Sequence, residues 1–296
     1  MGFILAIFFS ALFITLFARN VPLHKEISMK QGLNDTFAST ILVVINFVQI
    51  SFVAVHFRYL FSGAKLPNGM STTEYARSGF FELCSVICFS VFIIMLCMIF
   101  VKRHENKKLP AIIASLLTVL IACNYVIIAS AAYRMMRYIN EQDLTIKRVM
   151  VMWLISVFAV ALIGAVIKLW MPSFKTSAFV AITVIVMTIG INACNVNVFI
   201  AKYNVDKYME SKNTSDVRKI NIEYLIQLGP ASAEQTARLL KDDNKDIKKR
   251  ALNALGAEFG NLDMKTWKNY SFSDSTARKV FKENKINSSN AIREYN

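Results

Sequence analysis

Histidine is nearly missing from this sequence, with three in 296 residues, at positions 24, 56 and 104. That leaves little material for imidazole acid–base chemistry. A P-loop, a Gly-rich phosphate cradle, an H-E-x-x-H helix and a serine with an obvious His and Asp set are also absent. The five cysteines, Cys84, Cys88, Cys97, Cys123 and Cys194, all fall within apolar runs, where they behave as small apolar residues, so no disulfide framework follows. Cys84 and Cys88 are four apart and could share a helix face, but no His or further Cys has a matching spacing. Neither a metal nor a cofactor is expected.

What is abundant is apolar surface: 55% of the residues are hydrophobic and 22 are Phe, more than a soluble core of this length requires. About 20 apolar residues in a helix cross roughly 30 Å of hydrocarbon. Six runs meet or approach that length, at about 2–18, 37–61, 80–101, 110–133, 149–171 and 177–200. The first is short and could be the apolar region of a signal peptide, but it has no basic start and no A-x-A site before Arg19, which favours a retained helix. The expected fold is an all-α membrane bundle of about six spans over residues 1–200, followed by a soluble helical tail, 201–296. Net charge divides accordingly, +9 for the first part (16 Lys and Arg, 7 acids) and +5 for the tail (18 and 13).

Basic residues near span ends set orientation. Arg58, Lys65, Arg77, Arg134, Arg137, Lys147, Arg148, Lys202, Lys207 and Lys212 fall on the side of the tail, against eight on the other, a small bias toward a cytoplasmic tail. In the fourth span, Ala111, Ser115, Thr118, Ala122 and Ala129 form a stripe of small residues that would let another helix approach closely. Asn46, Gln49 and His56 share a face of the second span, and Asn192 and Asn195 lie three apart in the sixth. Such groups turn toward a bundle interior, where they form interhelical hydrogen bonds or line a polar path. For His56, near a span end, a structural or interfacial role is the expectation.

In the tail, SDVRKINIEYLIQLG, ASAEQTARLLKDD and KDIKKRALNALGAEFG read as helices, the first starting near Ser215 or Asp216. The third carries an apolar stripe of Ile247, Ala251, Leu252, Leu255 and Phe259, and DDNKDIKKRALNALGAEFG resembles the second helix of a HEAT-type repeat. Acids interleave with its basic run, Lys245, Lys248, Lys249 and Arg250, which indicates a solvated face and no nucleic-acid partner. The bilayer is the expected partner of the bundle, and a protein the expected partner of the tail.

At one lip of the bundle stand Arg58, Glu74, Tyr75, Arg77, Glu82, Tyr133, Arg134, Arg137 and Arg148. Glu82 lies inside an apolar run, where an ionised carboxylate needs a partner, and Arg58, Arg77, Arg134 and Arg137 are the candidates. The cluster is either an ion-pair lock between helix ends or a pocket for an anionic headgroup, substrate or partner. The segments HFRYLFSGAKLPNGMSTTEYARSGFFEL and AAYRMMRYINEQDLTIKR, with NVNVFIAKYNVDKY and IEYLIQL beyond them, resemble the bacterial polytopic membrane family DUF4173, within the wider DUF4153 group. The resemblance spans roughly residues 37–230 and implies a shortened or C-terminal version of that family. Two departures stand out: Ser78 replaces a usual arginine, and Asp143 replaces a usual glycine, which places Asp143 to cap the next helix.

The resemblance implies a membrane bundle and carries no activity with it. Three function classes stay open. The first is a non-enzymatic sensor, scaffold or accessory subunit. The second is a small-solute transporter built on Asn46, Gln49, Asn192 and Asn195, although deep charges and Gly/Pro-broken spans are lacking. The third is a membrane enzyme acting on an anionic lipid-type substrate, with Glu74 or Glu82 as base.

Overall fold

The computed structural model describes residues 34–61, 72–101, 109–212, 219–263, 271–284 and 286, with side chains excepted at 57–61, 72–79, 81 and 258–263. The first apolar run, 2–18, lies outside these residues. The described residues form α-helices, two 3-10 turns and no β-strand. They are α1 (Asp35–Phe61), α2 (Thr72–Phe100), α3 (Ala111–Glu141), α4 (Ile146–Trp170), α5 (Thr176–Ala193), α6 (Val196–Ser211), α7 (Ile222–Gln227), α8 (Ala233–Arg238), α9 (Lys245–Asp263) and α10 (Phe272–Glu283). Five are long and apolar enough to cross a membrane, over Asp35–His56, Glu82–Phe100, Ala111–Glu141, Ile146–Trp170 and Thr176–Ala193. The helical state follows from the solvent, because hydrocarbon offers backbone groups no partner and a helix satisfies them within one segment.

Two bounds differ from expectation in an informative way. Helix α3 runs past 133 to Glu141, beyond its apolar run, because Tyr133–Glu141 continues as helix former without a Gly or Pro to stop it. The run 177–200 is not one helix: α5 ends at Ala193 and α6 begins at Val196. Asn195, at φ 42°, makes the break, the one non-glycine described residue with positive φ. Asparagine tolerates that left-handed region better than other side chains with a Cβ.

The chain divides into two compact units, residues 1–138 with 152–187, and residues 139–151 with 188–296. In the first unit, α3 buries Ile113, Leu117, Leu120, Asn124, Ile127, Ala131 and Arg134, a seam with alternating steps of four and three. Four of the five small residues expected to face a close neighbour, Ala111, Ser115, Ala122 and Ala129, are exposed instead. The reason is that Asn124 and Arg134 occupy the other face, and keeping polar side chains out of lipid outweighs the packing advantage of small ones. Close approach occurs elsewhere, at Gly164 of α4, where a Cβ would stand 2.7 Å from the Phe179 ring of α5. Tyr125 donates to the Ala159 carbonyl at 2.6 Å and so joins α3 to α4.

The second unit has its core around α6. Ile200, Ala201, Val205 and Tyr208 of α6 pack with Leu144, Ile220, Ile222, Leu225, Leu228, Leu239, Ile247, Ala251 and Ala254. The first tail helix is shorter than its apolar pattern implied: Asn221 caps it, its side chain accepting from Tyr224 N at 2.9 Å, so the helix starts at Ile222. Ser215 and Asp216 lie outside the described residues. The second expected helix, 231–243, is the shorter α8 flanked by 3-10 turns at Gly229–Ser232 and Leu239–Lys241, with Gly229, at φ 67°, and Pro230 ending the first tail helix before it. Helix α10 was not expected from the pattern. Its signature is nonetheless in the sequence: Ser271 N donates to Asp274 Oδ2 at 2.6 Å in a capping box, followed by buried Ala277, Val280 and Phe281.

Candidate functional site

Three sequence segments far apart in the chain meet around the short connection between α3 and α4. Asn204 of α6 faces Leu144 and satisfies both of its backbone groups, accepting from Leu144 N at 2.7 Å and donating to Leu144 O at 2.9 Å. Leu144 and Asn204 are both buried, so these bonds are made away from water, where an unmatched backbone group would be costly. The Tyr224 hydroxyl of α7 accepts from Ile146 N at 2.8 Å, the first residue of α4. At the end of α3, Asn140 Oδ1 takes Lys207 Nζ at 2.6 Å and the Tyr203 hydroxyl at 3.3 Å, and Lys207 lies over the Tyr203 ring. The residues involved belong to YINEQDLTIKR, IAKYNVDKY and IEYLIQL, so the motifs noted separately in the sequence form one clamp on a loop.

Asp143 enters this loop by its backbone. Helix α4 starts at Ile146, which puts Thr145 at the N-cap position that the sequence assigned to Asp143. The Asp143 carbonyl accepts from the Arg148 guanidinium, and Arg148 is thereby engaged within the loop.

A second polar knot ties the far end of α6 to the start of α9. The Asp242 side chain is fully buried; Lys212 Nζ lies 2.6 Å from its Oδ2, Asn244 N donates to its Oδ1 at 2.8 Å, and the Tyr208 hydroxyl bonds to it. Burial opposes ionisation of Asp242, yet Lys212, the Asn244 amide and Tyr208 together hold its carboxyl below the usual carboxylate range. Tyr208, through burial and its bond to Asp242, is pushed up to about 12. Two exposed pairs repeat the theme: Arg238 meets Asp206 at 2.5 Å, and Arg250 meets Glu223 at 2.5 Å. The basic run of α9 therefore splits, Arg250 pairing with Glu223 of α7 while Lys245, Lys248 and Lys249 are exposed.

Within the first unit, the polar face expected on the second span is internal. Asn46 and Gln49 are buried, and Asn46 Nδ2 donates to Leu42 O at 2.8 Å and across to Leu116 O of α3 at 3.2 Å. Asn46 Oδ1, Gln49 Nε2, Asn124 Oδ1 and Ser130 Oγ have no hydrogen-bond partner there. Arg134, buried, points an Nη2 at His56 Nδ1 across 3.1 Å. A guanidinium only donates, so Nδ1 is the acceptor and the ring proton sits on Nε2. Phe52 meets the His56 ring edge-on at 4.1 Å, and the Glu82 carboxylate lies within electrostatic reach of the same ring. We expect His56→Leu, which removes the acceptor, to lower the thermal stability of the protein in nanodiscs by about 1–3 kcal/mol. His56→Gln, which restores an acceptor, should lose less than half of that; equal losses for both would refute the bond.

The sequence-defined lip cluster is thus gathered only in part. Arg134 bonds to His56, the exposed Glu82 lies within electrostatic reach of that ring, Tyr133 and Arg137 are exposed, and Arg148 serves the loop. The side chains of Arg58, Glu74, Tyr75 and Arg77 lie outside the described residues, although the backbone of 72–80 is helical, as the motif implied. Asn192 and Asn195, expected to face a bundle interior, are placed differently. Both are exposed: Asn192 Nδ2 donates to Thr188 O at 2.8 Å, and Asn195 turns at the helix break to donate to Ser273 Oγ at 3.2 Å. Sequence reasoning passed over Asn124 and Asn204, counted Tyr224 only among the apolar positions of the first tail helix, and read Asp242 as one of the acids of a solvated face, whereas its side chain is fully buried. Asn124 sits at seam spacing in an apolar run and was findable; the other three depend on partners distant in the sequence.

Among the described residues no three His, Cys, Asp or Glu side chains are arranged to hold a metal ion. The chain matches no curated protein and no solved structure. The model of one family, described as a domain of unknown function, DUF4153, matches residues 1–239 and so takes in the first apolar run, the spans, the loop clamp and the tail through Leu239. With more than half of its length matched in this way, the chain belongs to the DUF4153 family.

Proposed function

We propose that this protein is a non-enzymatic scaffold or sensor subunit, in which a bundle of spans holds a helical tail at the membrane for a protein partner. The observation that carries the reading is the Asn204 clamp: the first helix of the tail grips the α3–α4 connection by both backbone groups of Leu144. A displacement of that connection is passed to the α6 core through short, buried bonds, as a sensor requires. The polar groups of the tail support the same reading, since Asp206, Glu223 and Asp242 are used in pairs between helices. Lys245, Lys248 and Lys249, exposed on α9, suit an acidic partner surface.

A second reading, passage or binding of a small polar solute, is favoured by the unmatched atoms of Asn46, Gln49 and Asn124 inside the bundle. One experiment separates the two. In a deletion strain, the triple variant Lys245→Glu, Lys248→Glu, Lys249→Glu should lose rescue of the deletion phenotype at unchanged membrane abundance. The double variant Gln49→Leu, Asn124→Leu should keep it. The reverse pattern would overturn the scaffold reading in favour of the solute.

A further inference from the structure

Phe272 is the most exposed large apolar residue of the described chain, at 94%. It opens α10, whose inner face is occupied by Asp274, Ala277, Val280 and Phe281, so at 100° per residue Phe272 and Lys279 stand on the face directed away from the tail core. A single exposed apolar side chain is ordinary on a soluble surface, so what matters here is where this one stands.

The hydrogen bond between Asn195 Nδ2 and Ser273 Oγ, 3.2 Å, locates it. Asn195 stands two residues after the end of the span Thr176–Ala193, in the same unit as α10. Ser273 adjoins Phe272, so with adjacent Cα atoms 3.8 Å apart the Phe272 Cα is held within about 13 Å of the Asn195 Cα, just past the end of the span. The headgroup layer on each side of the bilayer is of the order of 5–7 Å deep. Phe199, one turn into α6, is likewise exposed, at 55%, just past the same span end. The sequence before α10, KTWKNYSF, puts Trp267, Tyr270 and Phe272 among Lys265 and Lys268, the mixture of aromatic and basic residues that favours a membrane interface. Lys279 and Lys282, both exposed, add positive charge along α10 suited to anionic headgroups.

We infer that the N-terminus of α10 is a membrane foot: Phe272 inserts into the interfacial layer beside the end of α5, and the lysines of α10 meet anionic headgroups. The tail is then held to the bilayer at two points, the covalent one through α5 and α6 and this one. The occupant is the lipid interface, and a second copy of the chain or another protein are the competing outcomes.

The test uses the full chain in nanodiscs of phosphatidylethanolamine and phosphatidylglycerol, with p-benzoylphenylalanine replacing Phe272. Illumination should yield a protein band carrying the mass of one phospholipid. A crosslinked dimer, a crosslink to another protein or the absence of a lipid adduct would overturn the inference. In parallel, amide exchange over residues 271–284 should be at least about tenfold faster in Phe272→Ser than in the parent when both are in nanodiscs, an opening set by loss of the anchor. Because Phe272 touches little of the tail core, exchange over α7 and α9 should be unchanged. Equal exchange at 271–284 in parent and variant would also refute the foot.

Discussion

Asn204→Leu should destabilise the tail by about 3 kcal/mol, because it leaves Leu144 N and Leu144 O buried without partners, each at a cost of about 1–3 kcal/mol. Leucine keeps the four side-chain heavy atoms of asparagine but is bulkier, so some overpacking in the α6 core adds to the loss of the two bonds. For a unit of this size a change of that order moves a thermal midpoint by more than about 10 °C. Amide exchange in nanodiscs should quicken at residues 142–146 and along α6 together, as the loop and helix share the bonds. Asn204→Asp should fall between, since a carboxylate still accepts from Leu144 N but repels Leu144 O. A leucine variant that melts with the parent would remove the clamp from any account of how the tail is held, and with it the main support for the sensor reading.

The second large effect belongs to Asp242. Its replacement by alanine deprives Lys212, Tyr208 and the Asn244 amide of one shared acceptor. Breaking a buried pair costs about 3–5 kcal/mol, and discounting for the partial exposure of Lys212 leaves roughly 2–3 kcal/mol. The same knot makes stability depend on pH at both extremes. Asp242 is held below its ordinary 3.8, so its contribution is complete above that value and is lost as pH falls through the lower folded value. Tyr208 is raised from 10.0 to about 12, so its contribution is complete below pH 10 and is lost as pH rises toward 12. Asp242→Asn should remove the acid step and reduce the alkaline one, followed by thermal unfolding across pH. An acid step unchanged in Asp242→Asn would assign it to other carboxylates.

The polar architecture places the two predictions on one helix. Asn204 and Tyr208 are a turn apart on α6, and Lys212 caps the same row, so one face of this helix holds the α3–α4 loop near its middle and the α9 start at its end. The hydrophobic core between them, Ile200, Ala201, Val205 and Tyr208, is what makes these bonds strong, since it excludes water from them. Under the proposed reading, a movement of the loop would be carried through α6 to α9, whose exposed lysines are the proposed partner surface.

Several particular residues show how far the sequence reached. The spans were legible because lipid imposes a single requirement on every residue of a run, and that requirement is local. The interior position of Asn46 and Gln49 was legible for the same reason, as hydrocarbon does not accept an amide. The same argument applied to Asn192 and Asn195 gave the opposite result: both are exposed, Asn195 because the helix ends at Ala193, and Asn192 in the last turn of the span with its amide bonded to Thr188 O of its own helix. The small-residue stripe of α3 likewise pointed to the wrong face, since Asn124 and Arg134 compete for the interior and win. Two capping signals went unread although they are local: Asn221 and Ser271 set helix starts by bonds that span three residues.

By itself, then, the sequence determined that the described residues are helical, that five of the apolar runs give helices long and apolar enough to cross a membrane, and that shorter, charged helices follow them, because each of these depends on composition and periodicity within a few turns of chain. The tertiary structure decided which face of α3 is inside, where α5 stops and α6 begins, and which side chains meet. Asn204 and Leu144 are 60 residues apart, and Arg134 and His56 are 78 apart. No local pattern encodes such pairs, for their bonds exist only once packing has excluded water and brought donor and acceptor within 3.1 Å or less.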